Sequence, residues 1–208
     1  MKKIIIGLTG ALLLTAGPVL AAPSVNGPTG LINSPTADVL RPGQLSLGYY
    51  HLKDGSVGSF NTNVAPNFEL GVAAFRYDGH SNKNYINAKF GVVPETVMTP
   101  GIAIGVEDIS NHNERSVYAV ASKALPFGFR IHAGTGGGRF DGVFAGIEKT
   151  ISPLSVLTGN NTFPATTLIA EYDGKNMNYG ARLSIVPGLK LDAGIRNHDG
   201  YIGISFTN

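Results

Sequence analysis

Apolar residues alternate with polar or small residues in short runs along most of this chain. Residues 189–196 show this most clearly: the odd positions carry Leu, Leu, Ala and Ile, and the even positions carry Lys, Asp, Gly and Arg. Such a period of two indicates a β-strand with two unlike faces, because successive side chains of a strand point in opposite directions. The pattern recurs in 85–92, 101–107, 142–148 and 179–186. The chain is therefore predicted to be all-β.

Clusters of turn-forming residues separate these runs, and two kinds of cluster alternate along the chain. One kind carries Asp, Asn and Gly, as at Asp54-Gly55, and the other carries Pro, as at Pro126 and Pro187. Six clusters of the first kind and five of the second give eleven connections and twelve strands. We predict a single up-and-down antiparallel β-barrel of about twelve strands, with ten as the alternative if the Asn- and Thr-rich run 57–64 is not a strand.

The composition of the polar face favours a barrel of the outer-membrane type. Charged residues alternate with small ones on this face, as Glu107 does with Gly105 and Arg182 with Gly180. Such a mixture suits the interior of a narrow barrel, where side chains from all strands are crowded together. The charged fraction of 14% is below the roughly 25% of ordinary soluble domains. We therefore expect the apolar face to contact lipid. The alternative is a soluble periplasmic β-barrel with that face inward, binding an apolar ligand.

Ten charged residues are predicted to line the lumen and to pair across it, since an unpaired charge there would cost several kcal/mol. They are Glu69, Lys89, Glu107, Arg130, Glu148, Glu171, Arg182, Lys190, Asp192 and Arg196. Membrane barrels usually carry aromatic girdles at both interfaces. Because the chain contains no Trp, its eight Tyr residues are expected to take that place.

The N-terminal region has the pattern of an export signal followed by a leader. A basic start, an apolar stretch over 4–20 and small residues after it predict a signal peptide over 1–21. The alternative is a membrane-anchoring helix. Loss of Lys2 and Lys3 would leave 16 − 2 = 14 basic against 14 acidic residues, so nucleic acid is not an expected partner. The four prolines of 22–44 predict an extended leader, and 45–208 is predicted to form the barrel domain.

Several segments resemble a known family. Residues 29–37 (TGLINSPTA) and 43–49 (GQLSLGY) resemble the N-terminal signature of YjbH-like outer-membrane β-barrel proteins, and residues 142–148, 169–174 and 178–181 are similar to later parts of that family. The resemblance implies an outer-membrane barrel that supports exopolysaccharide production or export, with outer-membrane lipid and polysaccharide or export-machinery proteins as partners. Those proteins are usually longer and often lipid-anchored. This chain has no Cys and is predicted to be a short form without the anchor.

No motif in the chain predicts a catalytic, cofactor or metal site. The Gly-rich run 134–138 ends a predicted strand and is not followed by Lys, so it does not resemble a phosphate loop. Residues 111–114 offer a single His, and His198-Asp199 would need Ser205 within reach to form a catalytic triad. We expect a non-enzymatic protein without cofactors. The alternatives are a small porin-like channel and a barrel enzyme that uses His132 or His198.

Overall fold

The computed structural model describes residues 21–79, 81–151 and 165–208. The predicted signal peptide lies outside these ranges except for its last residue. In the described ranges, no helix is long and apolar enough to cross a membrane. The same ranges form twelve antiparallel strands, each paired with its neighbours in sequence, and the first strand pairs with the last. The prediction of a closed up-and-down barrel of twelve strands is confirmed.

The strands are separated by short connections, with single 3-10 turns at Pro126–Gly128 and Gly138–Phe140. The uncertain run 57–64 lies within the second strand. In order, the strands are β1 (Leu45–Leu52), β2 (Gly55–Ala65), β3 (Phe68–Tyr77), β4 (Lys83–Val93), β5 (Gly101–Glu107), β6 (Ser116–Ala124), β7 (Phe129–Gly136), β8 (Gly142–Ile151), β9 (Ala165–Tyr172), β10 (Met177–Val186), β11 (Leu189–Arg196) and β12 (Asp199–Thr207).

The two kinds of turn lie at opposite ends of the barrel, as their alternation predicts. The connections after β1, β3, β5, β7, β9 and β11 form what we call the Asp/Gly end, and the remaining connections form the Pro end. Turn chemistry explains the local geometry. Between β11 and β12, φ is 51° at Asn197 and 71° at His198, and two positive φ values in succession are typical of a type I′ hairpin turn. Residues 152–164 of the longest connection lie outside the described ranges.

The apolar face of the strands lies on the outside of the barrel. Ile104, Ile147 and Leu191 are 48%, 42% and 40% exposed, whereas Glu107 and Arg182 are 3% and 6% exposed. Large apolar side chains are exposed on nearly every strand. Soluble monomers rarely expose contiguous apolar patches of more than a few hundred Å². The soluble alternative, with the apolar face inward, is therefore wrong for this barrel.

The tyrosines do not form the girdle that we expected. Three of them are more than a third exposed: Tyr49, Tyr172 and Tyr179. Tyr50, Tyr118 and Tyr201 are buried in the lumen instead. Luminal glycines leave the space that these rings occupy, since a Cβ on Gly203 would lie 2.2 Å from the ring of Tyr50. The small residues of the luminal face therefore accommodate aromatic rings as well as charges.

Residues 22–40, which we call the luminal segment, lie inside the barrel. All residues from 22 to 36 are buried. The segment is not extended as its prolines suggested, because isolated bridges join Pro23 to Thr29 and Gly30 to Pro35 and fold it back on itself. It begins at the Pro end, where Thr207 Oγ1 donates to the Ala21 carbonyl at 2.8 Å. It returns to that end at Leu40, whose carbonyl accepts from Asn63 Nδ2 at 2.7 Å.

We predict that Gly203→Val lowers the free energy of unfolding by about 1–3 kcal/mol, the usual range for overpacking a filled interior. The Tyr50 ring cannot move aside easily, because its hydroxyl donates to the Pro23 carbonyl at 2.6 Å. Urea unfolding in detergent micelles measures the change. Gly58→Val is the matched control, since a Cβ at Gly58 meets nothing within 4 Å. Equal stability of the two variants would contradict this account of the luminal glycines.

Candidate functional site in the barrel lumen

The strongest contact between the barrel and the luminal segment is centred on Glu171 of β9. Its carboxylate accepts hydrogen bonds from three consecutive backbone N–H groups, those of Ile32, Asn33 and Ser34, at 3.2, 2.7 and 3.1 Å. These residues form a tight turn, closed by the Leu31 N–H donating to the Ser34 carbonyl at 2.9 Å. Glu171 is only 1% exposed. Hydrogen bonds to an ionised group are stronger than neutral ones, so this carboxylate holds the turn in place.

A second carboxylate, Glu69 of β3, holds the segment on the other side of the lumen. It accepts from the Thr29 N–H and Thr29 Oγ1, both at 2.9 Å, and from the Leu40 N–H at 3.2 Å. Lys89 of β4 lies beside it, with Nζ 3.9 Å from Glu69 Oε2, and donates to the Thr29 carbonyl at 2.8 Å. The backbone of the segment thus supplies both the donors and the acceptors that these buried charges require.

Asn33 lies at the apex of the segment, towards the Asp/Gly end. Its Nδ2 donates to Asp173 Oδ2 at 2.6 Å, its Oδ1 accepts from Arg196 Nε at 2.5 Å, and its carbonyl accepts from Arg139 Nη2 at 2.8 Å. Burial opposes ionisation of Asp173, but hydrogen bonds from Asn33 and neighbouring groups outweigh it and hold the pKa of Asp173 below its ordinary value. One residue therefore joins three separate parts of the barrel wall, two through its side chain and one through its carbonyl.

All ten charged residues named from the sequence lie on the luminal face, but the ion pairs among them do not cross the lumen. Arg182 Nε donates to Asp192 Oδ1 at 2.6 Å, and these two residues are direct partners on β10 and β11. Glu69 and Lys89 are likewise partners on adjacent strands. Pairing across the lumen was the wrong expectation for these pairs, because the luminal segment occupies the centre. Arg182 reaches that segment too, donating to the Leu31 carbonyl at 3.1 Å.

The other predicted charges use partners that the sequence did not single out. Arg130 forms ion pairs with Asp38 of the luminal segment and with Glu95, and Arg139 donates to both oxygens of Glu107 at 2.6 and 2.8 Å. Lys190 lines a cavity near the Pro end together with Arg182. Asp38 belongs to the leader, for which the sequence predicts an extended path and no luminal contact. Arg139 lies in the 3-10 turn Gly138–Phe140, outside the alternating strands from which the luminal charges are predicted.

The side chains with catalytic potential make structural hydrogen bonds. Ser122 Oγ lies 2.8 Å from His132 Nδ1, and His132 Nε2 lies 3.0 Å from Glu148 Oε1. Ser122 and His132 are 1% and 3% exposed, and Ser122 Oγ also accepts from the Ala37 N–H at 2.8 Å. The luminal segment therefore covers the serine, and the three side chains form a polar rung across β6, β7 and β8.

The other candidate positions are not brought together. His198 lies in the turn before β12, and Ser205 lies near the other end of that strand, about 20 Å from its first residue at the rise of a β-strand. His112 Nδ1 lies 2.8 Å from the Asn84 carbonyl. Within the described part of the chain, no three His, Cys, Asp or Glu residues are grouped as metal ligands would be.

The sequence matches one protein family, and the barrel is similar to solved structures of one fold. Residues 24–160 match the YjbH family, described as "Exopolysaccharide biosynthesis protein YbjH", and these 137 residues are about two thirds of the 208-residue chain. The match begins within the luminal segment and includes β1 to β8. No curated protein matches the chain.

Two solved structures share the barrel fold. A KdgM porin in complex with disordered oligogalacturonate aligns with a TM-score of 0.53 at 12% identity, and a second structure of a KdgM porin aligns with a TM-score of 0.52 at 12% identity. In each case the alignment covers 79% of this chain and 97% of the porin. At this identity the likeness is one of fold, and it agrees with a barrel of the outer-membrane type.

We predict that Glu171→Ala lowers the free energy of unfolding by roughly 2–4 kcal/mol, because three buried N–H groups lose their charged acceptor. The luminal segment should also become sensitive to protease at residues 31–34. Urea unfolding in micelles and mass spectrometry of the fragments measure these effects. Asp199→Ala is the control, since its pair with Lys53 is exposed to solvent and should contribute little to stability. An unchanged protease pattern in Glu171→Ala would refute the anchoring role.

Proposed function

Because this chain belongs to the YjbH family of exopolysaccharide biosynthesis proteins, we propose that it acts in the outer membrane as a closed, non-enzymatic β-barrel that supports exopolysaccharide production or export. The observation that carries the proposal is the family match over 24–160. That match includes nearly all of the luminal segment and, on β3 and β4, the residues Glu69 and Lys89 that hold it. The family match therefore includes most of the segment that fills the lumen and one of the two carboxylates that hold it, while Glu171 lies beyond the matched range.

The surface of the barrel supports a location in the outer membrane. Its apolar side chains face outward on nearly every strand and need hydrocarbon around them, which makes outer-membrane lipid the first partner. The predicted signal peptide over 1–21 would deliver the chain to that membrane. Both termini of the barrel lie at the Pro end. We place this end in the periplasm, where export-machinery proteins would meet it, and the Asp/Gly end on the cell surface.

We further propose that the ten luminal charges serve to hold the luminal segment. Glu171, Glu69 and Arg182 each bond to its backbone, and Arg130 bonds to its one acidic side chain, Asp38. Withdrawal of the segment would break these hydrogen bonds and ion pairs, and each luminal group that loses a partner would pay a cost unless water replaced it. The closed state is therefore the resting state in this proposal.

The expected result of removing the gene is a large loss of secreted and surface exopolysaccharide, which a carbohydrate assay of washed cells and medium measures. The wild-type gene and the Asp199→Ala control should restore it. Glu171→Ala should not, because the luminal segment is no longer anchored. An unchanged amount of exopolysaccharide after gene removal would refute this role. Comparison of membrane fractions confirms that each variant reaches the membrane in equal amount.

A porin-like channel is the second candidate, and the shared fold with a porin that binds oligogalacturonate favours it. The luminal segment is held only by hydrogen bonds, ion pairs and packing, so its departure would open a pore through the barrel. The two candidates differ in whether the intact protein conducts ions.

We predict that the intact protein shows no steady conductance in planar bilayers, because the segment fills the lumen. Deletion of residues 24–40 should open a steady pore. The double substitution Glu69→Ala and Glu171→Ala is the milder variant and should give intermittent openings. Steady conductance by the intact protein would favour the channel instead. A silent deletion variant that migrates as a folded barrel on detergent gels would show that the segment is not what closes the lumen.

A further inference from the structure

A small open cavity, which we call the vestibule, lies at the Asp/Gly end above the luminal segment. It measures about 190 Å³. Asn26 and Asn33 of the luminal segment line it, as do groups from the ends of β3, β4 and β11 and from the turns between strands. The lining residues that can recognise a ligand include Tyr77, Tyr85, Arg139, Asp173, Lys175 and Arg196.

One wall of the vestibule is aromatic. The ring of Phe75 lies 4.8 Å from that of Tyr85 and 5.8 Å from that of Tyr77, measured between centroids. Phe75 is buried, whereas Tyr77 and Tyr85 are half-buried, and all three residues line the cavity. Tyrosine combines a flat apolar body with a polar hydroxyl. Such a wall fits a ring that is apolar on its faces and polar at its edge, as a sugar is.

The facing wall carries a guanidinium without an acidic partner. Among the described residues, no carboxylate lies within 4.0 Å of Arg196, whose Nε donates to Asn33 Oδ1. The neighbouring Arg139, by contrast, is paired with both oxygens of Glu107. Tyr85 lies on β4 and Arg196 lies on β11. These two strands are five positions apart around the closed barrel, and strands directly opposite each other would be six apart.

The other charged groups around the vestibule are already engaged. Asp173 accepts from Asn33 and Asn178 and from two backbone N–H groups of its own turn. Lys175 lies 3.9 Å from Glu114 in an exposed pair. Arg196 is therefore the cation of the vestibule that retains capacity for a carboxylate, which a guanidinium binds through two parallel hydrogen bonds.

We propose that the vestibule binds an acidic sugar, with the ring against Tyr77 and Tyr85 and the carboxylate on Arg196. This inference rests on the proposed function, because it names the class of exopolysaccharide that the protein would contact. The volume of about 190 Å³ is below the roughly 300–1,000 Å³ of pockets that enclose drug-sized ligands. The vestibule therefore receives one ring of a longer chain, and the rest of that chain extends over the Asp/Gly end.

Titration calorimetry of the full chain in detergent micelles tests the class of sugar. The probes are trigalacturonate and its methyl ester, which have the same rings but differ in charge, with acetate as the carboxylate without a ring. The acid should bind at least about tenfold more tightly than the ester, and its affinity should fall as salt is raised. Acetate should show no measurable binding at the same concentrations. Equal affinity for acid and ester, or binding of acetate as tight as that of the acid, would overturn the proposal.

Substitutions locate the site. Arg196→Gln should bring the affinity for the acid down to that for the ester, and Arg41→Gln, which removes the same charge at the Pro end, should leave it unchanged. Tyr85→Leu on the facing wall should weaken both acid and ester. Arg196 also contacts Asn33, so loss of binding in Arg196→Gln must be separated from opening of the lumen. Bilayer recording should show that Arg196→Gln stays closed. Tyr85→Leu tests the site without removing the contact between Arg196 and Asn33. Full affinity in both Arg196→Gln and Tyr85→Leu would overturn the proposal.

The two proposals fail in distinguishable ways. Binding is measured on purified protein and does not depend on any effect in cells. Selective binding of the acid combined with unchanged exopolysaccharide after gene removal would refute the proposed function and leave the vestibule site standing. Loss of exopolysaccharide combined with no preference for the acid would refute the vestibule site alone.

Discussion

Charge inside a closed lumen is the constraint on which the rest of this structure depends. The carboxylates of Glu171 and Glu69 are almost fully buried, and a buried charge is stable only when it is paired or hydrogen-bonded. The backbone N–H groups of the luminal segment donate to both carboxylates, and the Thr29 carbonyl accepts from the buried ammonium of Lys89. The barrel wall and the segment are therefore complementary parts of one structure.

The same constraint connects the fold to the proposed function. The luminal segment satisfies the buried charges of the barrel and thereby fills its lumen. Side chains that could act in catalysis, such as Ser122 and His132, are used for internal hydrogen bonds. The vestibule stays open at the Asp/Gly end, and there Arg196 keeps unused hydrogen-bonding capacity beside an aromatic wall. Because the luminal segment fills the interior, the proposed saccharide site lies at the mouth of the barrel and not inside it.

Much of the fold was predictable because strands and hairpin turns depend on local order in the sequence. The alternation in 189–196 indicated which face is apolar, and the Asp/Gly and Pro clusters indicated where the chain reverses and at which end. The errors have a common cause. The buried tyrosines, the partners of Arg130 and Arg139 and the path of the leader all depend on which residues meet in the centre of the barrel, and sequence spacing carries no record of that.

The sequence by itself determined the number of strands, the two ends of the barrel and the identity of its inner and outer faces, because each follows from side-chain alternation and turn chemistry between neighbours. Only the tertiary structure decided what fills the lumen. Residues 31–34 and Glu171 are well over 100 positions apart. They meet because closure of β1 onto β12 creates an enclosed interior, which the polar backbone of the luminal segment fills.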